Sequence, residues 1–322
     1  MNIGTTFDYE QCINLNTDYK KVLERIIDLK LSPVRVGIKW SKVENEKGRY
    51  DWEIYDGILE KLNSKKIPII LTIGVKSPRW PEFYIPGWIN YKYTKNFIID
   101  SDNKILLDEI CGFIQKVYKR YKHLKSIKSI QLENEPFVKA GPWKGEISLD
   151  FIKEEIKYLK RIVNIPIHMT TLGIPNNTFF KKIFNNIRKV DNDIIDISDV
   201  LGIDIYTKIE DKLLPKDKYT YSSKNSDWKY IIKLKNKAED LKKEVIISEL
   251  QAEPWQRATV NFEDAYGNKT CNPSMVLENL DMIKSLNINT VLLWGTEFHI
   301  ACEMRGNNKW VERLYLNKAI NS

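Results

Sequence analysis

The 322-residue sequence has little cysteine and little histidine, with four Cys and three His. The cysteines show neither Cys-x-x-Cys spacing nor a paired histidine, so zinc motifs are excluded and no metal site is predicted. We interpret Cys12, Cys111, Cys271 and Cys302 as free thiols of a reducing compartment. A Cys12–Cys302 disulfide is the alternative, if both residues lie in loops at one end of the fold. With 12 Pro and 14 Gly, the chain also lacks the composition of a disordered or collagen-like protein.

Long hydrophobic runs are absent as well. Nowhere does the sequence hold the ~18 consecutive apolar residues that a membrane span needs. It begins MNIGTTFDYE, without the basic and apolar regions of a signal peptide. We therefore expect a cytoplasmic protein with no membrane partner. Secretion, with the signal already removed, is the alternative.

The formal net charge is +8, from 51 basic and 43 acidic residues. Arg is scarce, with ten residues, and the Lys residues are spread through predicted helices among acidic ones. This pattern favours solvated helix faces over a groove for phosphates, so we predict no nucleic-acid partner. Nucleic-acid binding is kept as a minor hypothesis, which would show as salt-sensitive binding to DNA or RNA.

Short β-branched segments alternate with longer amphipathic segments along the whole chain. Eight strands are predicted: Asn2–Phe7, Val34–Trp40, Ile67–Ile73, Ile127–Glu133, Ile165–Thr171, Val200–Tyr206, Glu244–Glu249 and Thr290–Trp294. Eight helices are predicted: Asp18–Leu31, Trp52–Lys65, Lys104–Tyr121, Leu149–Val163, Asn177–Lys189, Asp227–Lys242, Pro273–Leu286 and Asn308–Ile320. This alternation, without a linker, predicts an α/β fold, a closed (β/α)₈ TIM barrel formed by one domain over residues 1–322, with long loops after strands three and seven. A doubly wound open sheet is the alternative, although no Gly-x-Gly-x-x-Gly motif follows the first strand.

In a (β/α)₈ barrel, chemistry lies on the loops that follow the strands. Aromatic residues make up 11% of the chain, with 9 Trp and 16 Tyr, and many fall on these loops together with carboxylates. The residues concerned are Trp80 after strand three; Asn134, Glu135 and Trp143 after strand four; Tyr206 after strand six; Glu249 and Trp255 after strand seven; and Trp294 and His299 after strand eight.

Two carboxylic acids beside flat aromatic rings form the arrangement that cleaves a glycosidic bond. One acid protonates the leaving oxygen, and the other attacks or stabilises the oxocarbenium-like centre. Position alone selects Glu135 and Glu249, since each lies at the carboxyl end of a predicted strand. The aromatic faces suit the apolar C–H face of a sugar ring, so Trp80, Trp143 and Trp255 are predicted to line sugar subsites. Their alternative is packing of the loops onto the barrel.

Several segments resemble the clan A glycoside hydrolases, which are retaining (β/α)₈ enzymes. Gln131-Leu-Glu-Asn-Glu-Pro136 is similar to their Asn-Glu-Pro signature, and Ile247-Ser-Glu-Leu-Gln251 to their nucleophile strand. The remaining similar segments are Val34–Glu44 with Gly48–Trp52, Leu201–Tyr206 and Leu292–Gly295. The strand-three loop, Gly74–Pro81, lacks the His of the family-one enzymes and is closer to that of some β-galactosidases, so the family within the clan is not assigned.

The resemblance implies a role for each matching residue. Glu135 would be the general acid/base and Glu249 the nucleophile, about 5–5.5 Å apart as in retaining enzymes. Asn134 would bind the sugar 2-hydroxyl, and Tyr206 and Arg35 would hold and orient Glu249.

Two further residues complete the expected site. Trp294 would form the platform beneath the ring being cleaved. His299 is interpreted either as a sugar contact or as a loop residue whose hydrogen bonds are made within the protein. The substrate would be an oligo- or polysaccharide, with no metal or organic cofactor. A non-catalytic carbohydrate-binding barrel is the alternative function.

Overall fold

The computed structural model describes residues 1–91, 97–174, 187–208, 226–256 and 260–316. The strands are β1 (Asn2–Phe7), β2 (Val34–Gly37), β3 (Ile69–Ile73), β4 (Ile98–Ile99), β5 (Ile127–Leu132), β6 (Glu146–Ile147), β7 (Ile167–Leu172), β8 (Val200–Ile205), β9 (Glu244–Gln251) and β10 (Thr290–Trp294). The helices are α1 (Tyr9–Asn14), α2 (Tyr19–Asp28), α3 (Trp40–Val43), α4 (Glu53–Ser64), α5 (Lys104–Tyr121), α6 (Leu149–Ile162), α7 (Lys189–Ile197), α8 (Trp228–Asp240), α9 (Pro273–Ser285), α10 (Thr296–Met304) and α11 (Lys309–Val311), followed by a π-helical turn at Glu312–Leu316.

Eight of the strands form one closed barrel, in the order β1-β10-β9-β8-β7-β5-β3-β2. Neighbouring strands are parallel, with Thr5 beside Leu293 and Ile73 beside Leu132. Every residue of β3 and of β8 is buried, which explains why apolar and polar residues do not alternate along these strands. The predicted (β/α)₈ barrel is confirmed, and the open-sheet alternative is wrong.

The chain divides into two compact units, each of which contributes strands to the barrel. The central unit comprises Arg35–Thr171 and Lys189–Leu201. The terminal unit comprises Met1–Val34, Leu172–Arg188 and Gly202–Ser322. The assignment of residues 1–322 to one catalytic domain stays a prediction.

Several helices begin where a short polar side chain caps them. Asp18, Ser148 and Asp227 each accept a hydrogen bond from a backbone N–H of the first turn of α2, α6 and α8. Asn272 caps α9 in the same way, with Pro273 in the first turn, where its missing N–H costs nothing. These caps explain why the predicted helix starts differ little from the observed ones.

The structure also contains elements that periodicity did not predict. These are α1, α3, α7, α10 and the two-residue strands β4 and β6, which pair with each other. The predicted strand Val34–Trp40 ends at Gly37, because the chain turns into α3 at Trp40. Most of the predicted helix at Asn177–Lys189 lies outside the described residues, as does the end of the predicted helix Asn308–Ile320.

The four cysteines are buried free thiols, as the favoured interpretation of the sequence has them. Over the residues that the structure describes, no helix combines the length and the apolarity that crossing a bilayer requires.

Candidate active site

The carboxyl end of β5, in the central unit, carries the Asn-Glu-Pro segment. Arg35 is fully buried on β2 and donates from Nη1 to Gln131 Oε1 at 3.1 Å. Gln131 in turn donates from Nε2 to the Glu133 carbonyl (3.0 Å) and to Asn134 Oδ1 (3.2 Å). A hydrogen-bonded row inside the barrel therefore fixes the Asn134 side chain.

Glu135 follows β5 by three residues and is only 8% exposed. Its φ angle is 42° and that of Glu133 is 58°, both in the left-handed region that non-glycine residues seldom adopt. The backbone N–H of Glu135 donates to Thr170 Oγ1 at 2.9 Å. Two unfavourable backbone conformations within three residues, held by specific bonds, are typical of functional sites.

Lys76, in the loop after β3, holds the Glu135 backbone from its other side. Its ammonium is fully buried and donates to the carbonyl oxygens of Glu135 (2.8 Å) and Val138 (3.0 Å). It also lies 3.4 Å from a carboxylate oxygen of Glu82. Sequence reasoning missed this residue, since a Lys in a loop next to Arg and Pro gives no sign of burial.

Glu133 is fully buried between the Asn-Glu-Pro segment and the loop after β3. Its two carboxylate oxygens accept the backbone N–H groups of Val75 (2.7 Å) and Lys76 (2.6 Å). Burial raises the pKa of Glu133 to about 7, although these two N–H groups act in the opposite direction. Gly74, with φ 144°, makes room for the carboxylate, because a Cβ atom there would lie 2.3 Å from it.

In the terminal unit, Glu249 lies on β9, two residues before the carboxyl end of the strand, and is 3% exposed. The Tyr206 hydroxyl, at the end of β8, donates to Glu249 Oε2. The backbone N–H of Tyr206 donates to Ser226 Oγ at 2.9 Å, and the Ser248 hydroxyl donates to Asp204 on β8. The predicted pairing of Tyr206 with Glu249 is thus present in the structure.

Aromatic residues surround this strand end. The ring centroids of Tyr206 and Trp255 are 4.9 Å apart, and Trp255 is 41% exposed. Its backbone N–H donates to Thr270 Oγ1 at 2.8 Å, which fixes the start of the loop. Trp294 is the last residue of β10 and is 4% exposed.

The two other predicted aromatic residues lie in the central unit. Trp80 is 70% exposed, and its carbonyl accepts a hydrogen bond from the Tyr84 hydroxyl at 3.1 Å. Trp143 is 39% exposed, with its ring centroid 5.8 Å from that of Phe83. Both side chains are thus partly accessible to solvent, as residues that line a sugar subsite must be.

His299 lies on α10, fully buried, with both ring nitrogens bound by protein atoms. Nε2 is 2.6 Å from the carbonyl oxygen of Ala252 and so carries the proton, while Nδ1 accepts from the Tyr315 hydroxyl at 2.7 Å. The ring stacks on Trp310 at 4.4 Å, and burial lowers its pKa to about 4. These contacts favour the interpretation of His299 as a structural residue whose hydrogen bonds are made within the protein.

Comparison with known proteins supports the same function class. The sequence model of glycoside hydrolase family 42, described as beta-galactosidase, matches residues 8–147, which is less than half of the chain. Comparison with curated protein sequences gives no significant match.

Among solved structures, the chain is similar to a beta-glucosidase from Exiguobacterium marinum, with a TM-score of 0.55 at 13% identity over 86% of this chain and 77% of that one. It is also similar to an intracellular xylanase from Thermoanaerobacterium saccharolyticum, solved with xylotriose, with a TM-score of 0.56 at 14% identity over 92% and 86% of the two chains. A beta-galactosidase from Bacillus circulans gives a TM-score of 0.53 at 12% identity, over 91% of this chain and 50% of that one.

Similarity to solved structures at 12–14% sequence identity establishes the fold alone. The match to the family model indicates the class of reaction. Together they confirm the resemblance to the clan A glycoside hydrolases and the prediction that the chain is a glycoside hydrolase. A carbohydrate is therefore the class of substrate.

Proposed function

We propose that the protein is a retaining β-glycosidase in which Glu249 is the nucleophile and Glu135 the general acid/base. The observation that carries the proposal is that each carboxyl group lies within three residues of the carboxyl end of a strand of one parallel barrel, with Glu249 bound by the Tyr206 hydroxyl. Barrel enzymes carry their active sites at this end of the strands.

The reaction has two steps. In the first, the Glu249 carboxylate attacks the anomeric carbon and the glycosidic C–O bond breaks, while Glu135 gives its proton to the leaving oxygen. In the second, ionised Glu135 takes a proton from water, the water oxygen bonds to the anomeric carbon, and the bond to Glu249 breaks. Two inversions at one carbon leave its configuration unchanged, which requires carboxyl groups about 5–5.5 Å apart.

The remaining predicted residues take supporting roles in this proposal. Asn134 is held by Gln131 and would bind the sugar 2-hydroxyl, where a hydrogen bond strengthens in the transition state. Arg35 would orient the nucleophile, and Trp294 would lie beneath the reacting ring. The exposed rings of Trp80, Trp143 and Trp255 would line further sugar subsites. His299 is left out of the substrate contacts, because protein atoms bind both of its nitrogens.

The decisive experiment compares Glu249→Ala with Glu135→Ala on aryl β-glycosides. Loss of a nucleophile lowers kcat by about 10⁴-fold or more, whereas loss of the acid matters less when the leaving group is already activated. Azide separates the two roles further: it should give a β-glycosyl azide with Glu135→Ala and an α-glycosyl azide with Glu249→Ala. Glu239→Ala, at an exposed ion pair on α8, is the control.

Near-native turnover by Glu249→Ala would overturn the assignment of the nucleophile. If the native protein binds β-linked oligosaccharides but hydrolyses none of a panel of aryl β-glycosides, the non-catalytic barrel is the better description.

A further inference from the structure

Two fully buried carboxyl groups lie together in the central unit. Glu155, on α6, is fully buried beside Glu133. Among the described residues, no N–H or O–H group donates to either oxygen of Glu155. Two carboxyl groups can form a hydrogen bond only through a proton that one of them carries. Since Glu133 already accepts backbone N–H groups at both of its oxygens, the proton lies on Glu155.

The surroundings favour this neutral form of Glu155. Burial raises its pKa well above the ordinary value of 4.5, and the charge of Glu133 raises it further. From α5, the thiol of Cys111 faces Glu155, and burial with the neighbouring acidic charges raises the pKa of that thiol to about 12. From α7, Asp191 is hydrogen-bonded to the Thr171 hydroxyl. Lys76 acts on Glu133, whose pKa it lowers.

A continuous series of contacts leads from Glu155 to the proposed acid/base. Glu133 holds the N–H groups of Val75 and Lys76, and the ammonium of Lys76 holds the backbone carbonyl of Glu135 at 2.8 Å. The proposed mechanism requires the Glu135 carboxyl to reach the leaving oxygen, and a displacement of about 1 Å at such a group is enough to cost roughly 10²-fold in rate.

We infer that Glu155, in its protonated form, is a positioning residue for the general acid/base, acting through Glu133 and Lys76; this inference rests on the proposed function of Glu135. Glu155 touches neither substrate nor reacting atoms. Its role is to supply the hydrogen bond that lets a buried carboxylate hold the loop after β3 in place.

The first test measures thermal stability against pH, and it is independent of activity. Unfolded Glu155 loses its proton near pH 4.5, whereas the folded protein keeps it to a higher pH. Above about pH 4.5, the native protein therefore loses stability as the pH rises, up to the folded pKa. Glu155→Gln keeps a donor to Glu133 and has no proton to lose. Its Tm relative to the native protein should rise by about 2 °C per pH unit from about pH 5 up to the folded pKa of Glu155.

Glu154→Gln is the matched control, since Glu154 is the exposed neighbour of Glu155 on α6 and pairs with Lys157 at the surface. Its Tm difference from the native protein should not follow this slope. If the Tm difference between Glu155→Gln and the native protein does not change with pH, the inference that Glu155 carries a proton bound to Glu133 is overturned.

The second test measures kcat on glycosides with good and poor leaving groups. Glu155→Leu removes the donor to Glu133. Glu133→Gln replaces one of the two acceptor oxygens by an N–H₂ group, which then opposes the backbone N–H of Val75 or of Lys76. Both variants should lower kcat about tenfold more on a poor leaving group than on an activated one, because only the poor one needs the proton of Glu135. Glu155→Gln should restore kcat on both.

If kcat falls equally on good and poor leaving groups, Glu155 has a structural role only, and the positioning inference is overturned. Failure of the proposed function looks different: Glu135→Ala would then retain full activity on poor leaving groups, while the pH dependence of Tm would persist.

Discussion

The two strand ends that carry the proposed catalytic carboxyl groups hold them in different ways. At β9, a phenol hydroxyl binds the Glu249 side chain directly. At β5, two hydrogen bonds hold the Glu135 backbone: its N–H donates to Thr170 Oγ1, and its carbonyl accepts from Lys76 Nζ. Glu249 also lies within a regular strand, whereas Glu135 has a left-handed backbone conformation.

This difference matches the different tasks of the two groups. A nucleophile stays ionised until it attacks, so a donor bound to its oxygen is compatible with its role and orients it. A general acid/base must give up a proton and take it back, so support from the backbone positions it in both protonation states. The following variants test whether the distinction holds.

Lys76→Met should have the largest effect of these variants. It removes the buried ammonium and leaves the carbonyls of Glu135 and Val138 without their donor. We expect kcat to fall about 100-fold on a poor leaving group and the free energy of unfolding to fall by about 3 kcal/mol. Steady-state kinetics and urea unfolding measure the two effects.

Lys128→Met is the control for Lys76→Met, because Lys128 is exposed and also donates to a carbonyl, that of Lys125. Lys128→Met should change neither kcat nor the free energy of unfolding measurably. Native kcat in Lys76→Met, with lowered stability, would mean that the backbone support at β5 serves only the fold.

Tyr206→Phe should have a smaller effect than Lys76→Met. The variant keeps the ring against Trp255 but removes the hydroxyl that binds Glu249. A hydrogen bond to a charged group contributes about 1.5–3 kcal/mol, so we expect kcat/KM to fall roughly 10- to 100-fold. The loss should be the same for good and poor leaving groups when formation of the covalent intermediate is rate-limiting.

Tyr266→Phe controls for the substitution itself, since Tyr266 is 47% exposed. A loss for Tyr206→Phe that is confined to poor leaving groups would place the tyrosine on the acid side of the reaction and remove the contrast between the two strand ends.

The barrel was predictable from the sequence because its strands are buried on both faces and alternate with capped amphipathic helices. β1, β10 and α5 have the predicted bounds. By contrast, α3 begins three residues after β2, and only Gly295 separates α10 from β10, so neither helix is set apart from its strand by a loop that the sequence pattern would reveal. Short strands such as β4 and β6 exist only through their pairing with each other, which no local pattern encodes.

The candidate site was predictable where a residue lies within two residues of the end of a strand, as Glu249 and Tyr206 do. The supporting groups were not predictable, because burial of a polar side chain depends on contacts far apart in sequence. Lys76 is 59 residues from Glu135 and Thr170 is 35 residues from it, and both have sequence surroundings typical of ordinary loop and strand residues.

Thr170→Val, compared with Thr170→Ser, is the mildest test of the contrast. Valine has nearly the shape of threonine but leaves the buried N–H of Glu135 without an acceptor, whereas serine keeps the hydroxyl. We expect Thr170→Val to lose about 1–3 kcal/mol of unfolding free energy, and kcat to fall roughly fivefold on a poor leaving group, with the serine variant close to native in kcat. The effect is smaller than that of Lys76→Met because the lysine still holds the carbonyl. If the valine variant instead loses as much activity as Lys76→Met, the two bonds act as one unit, and the backbone of Glu135 needs both to keep its left-handed conformation.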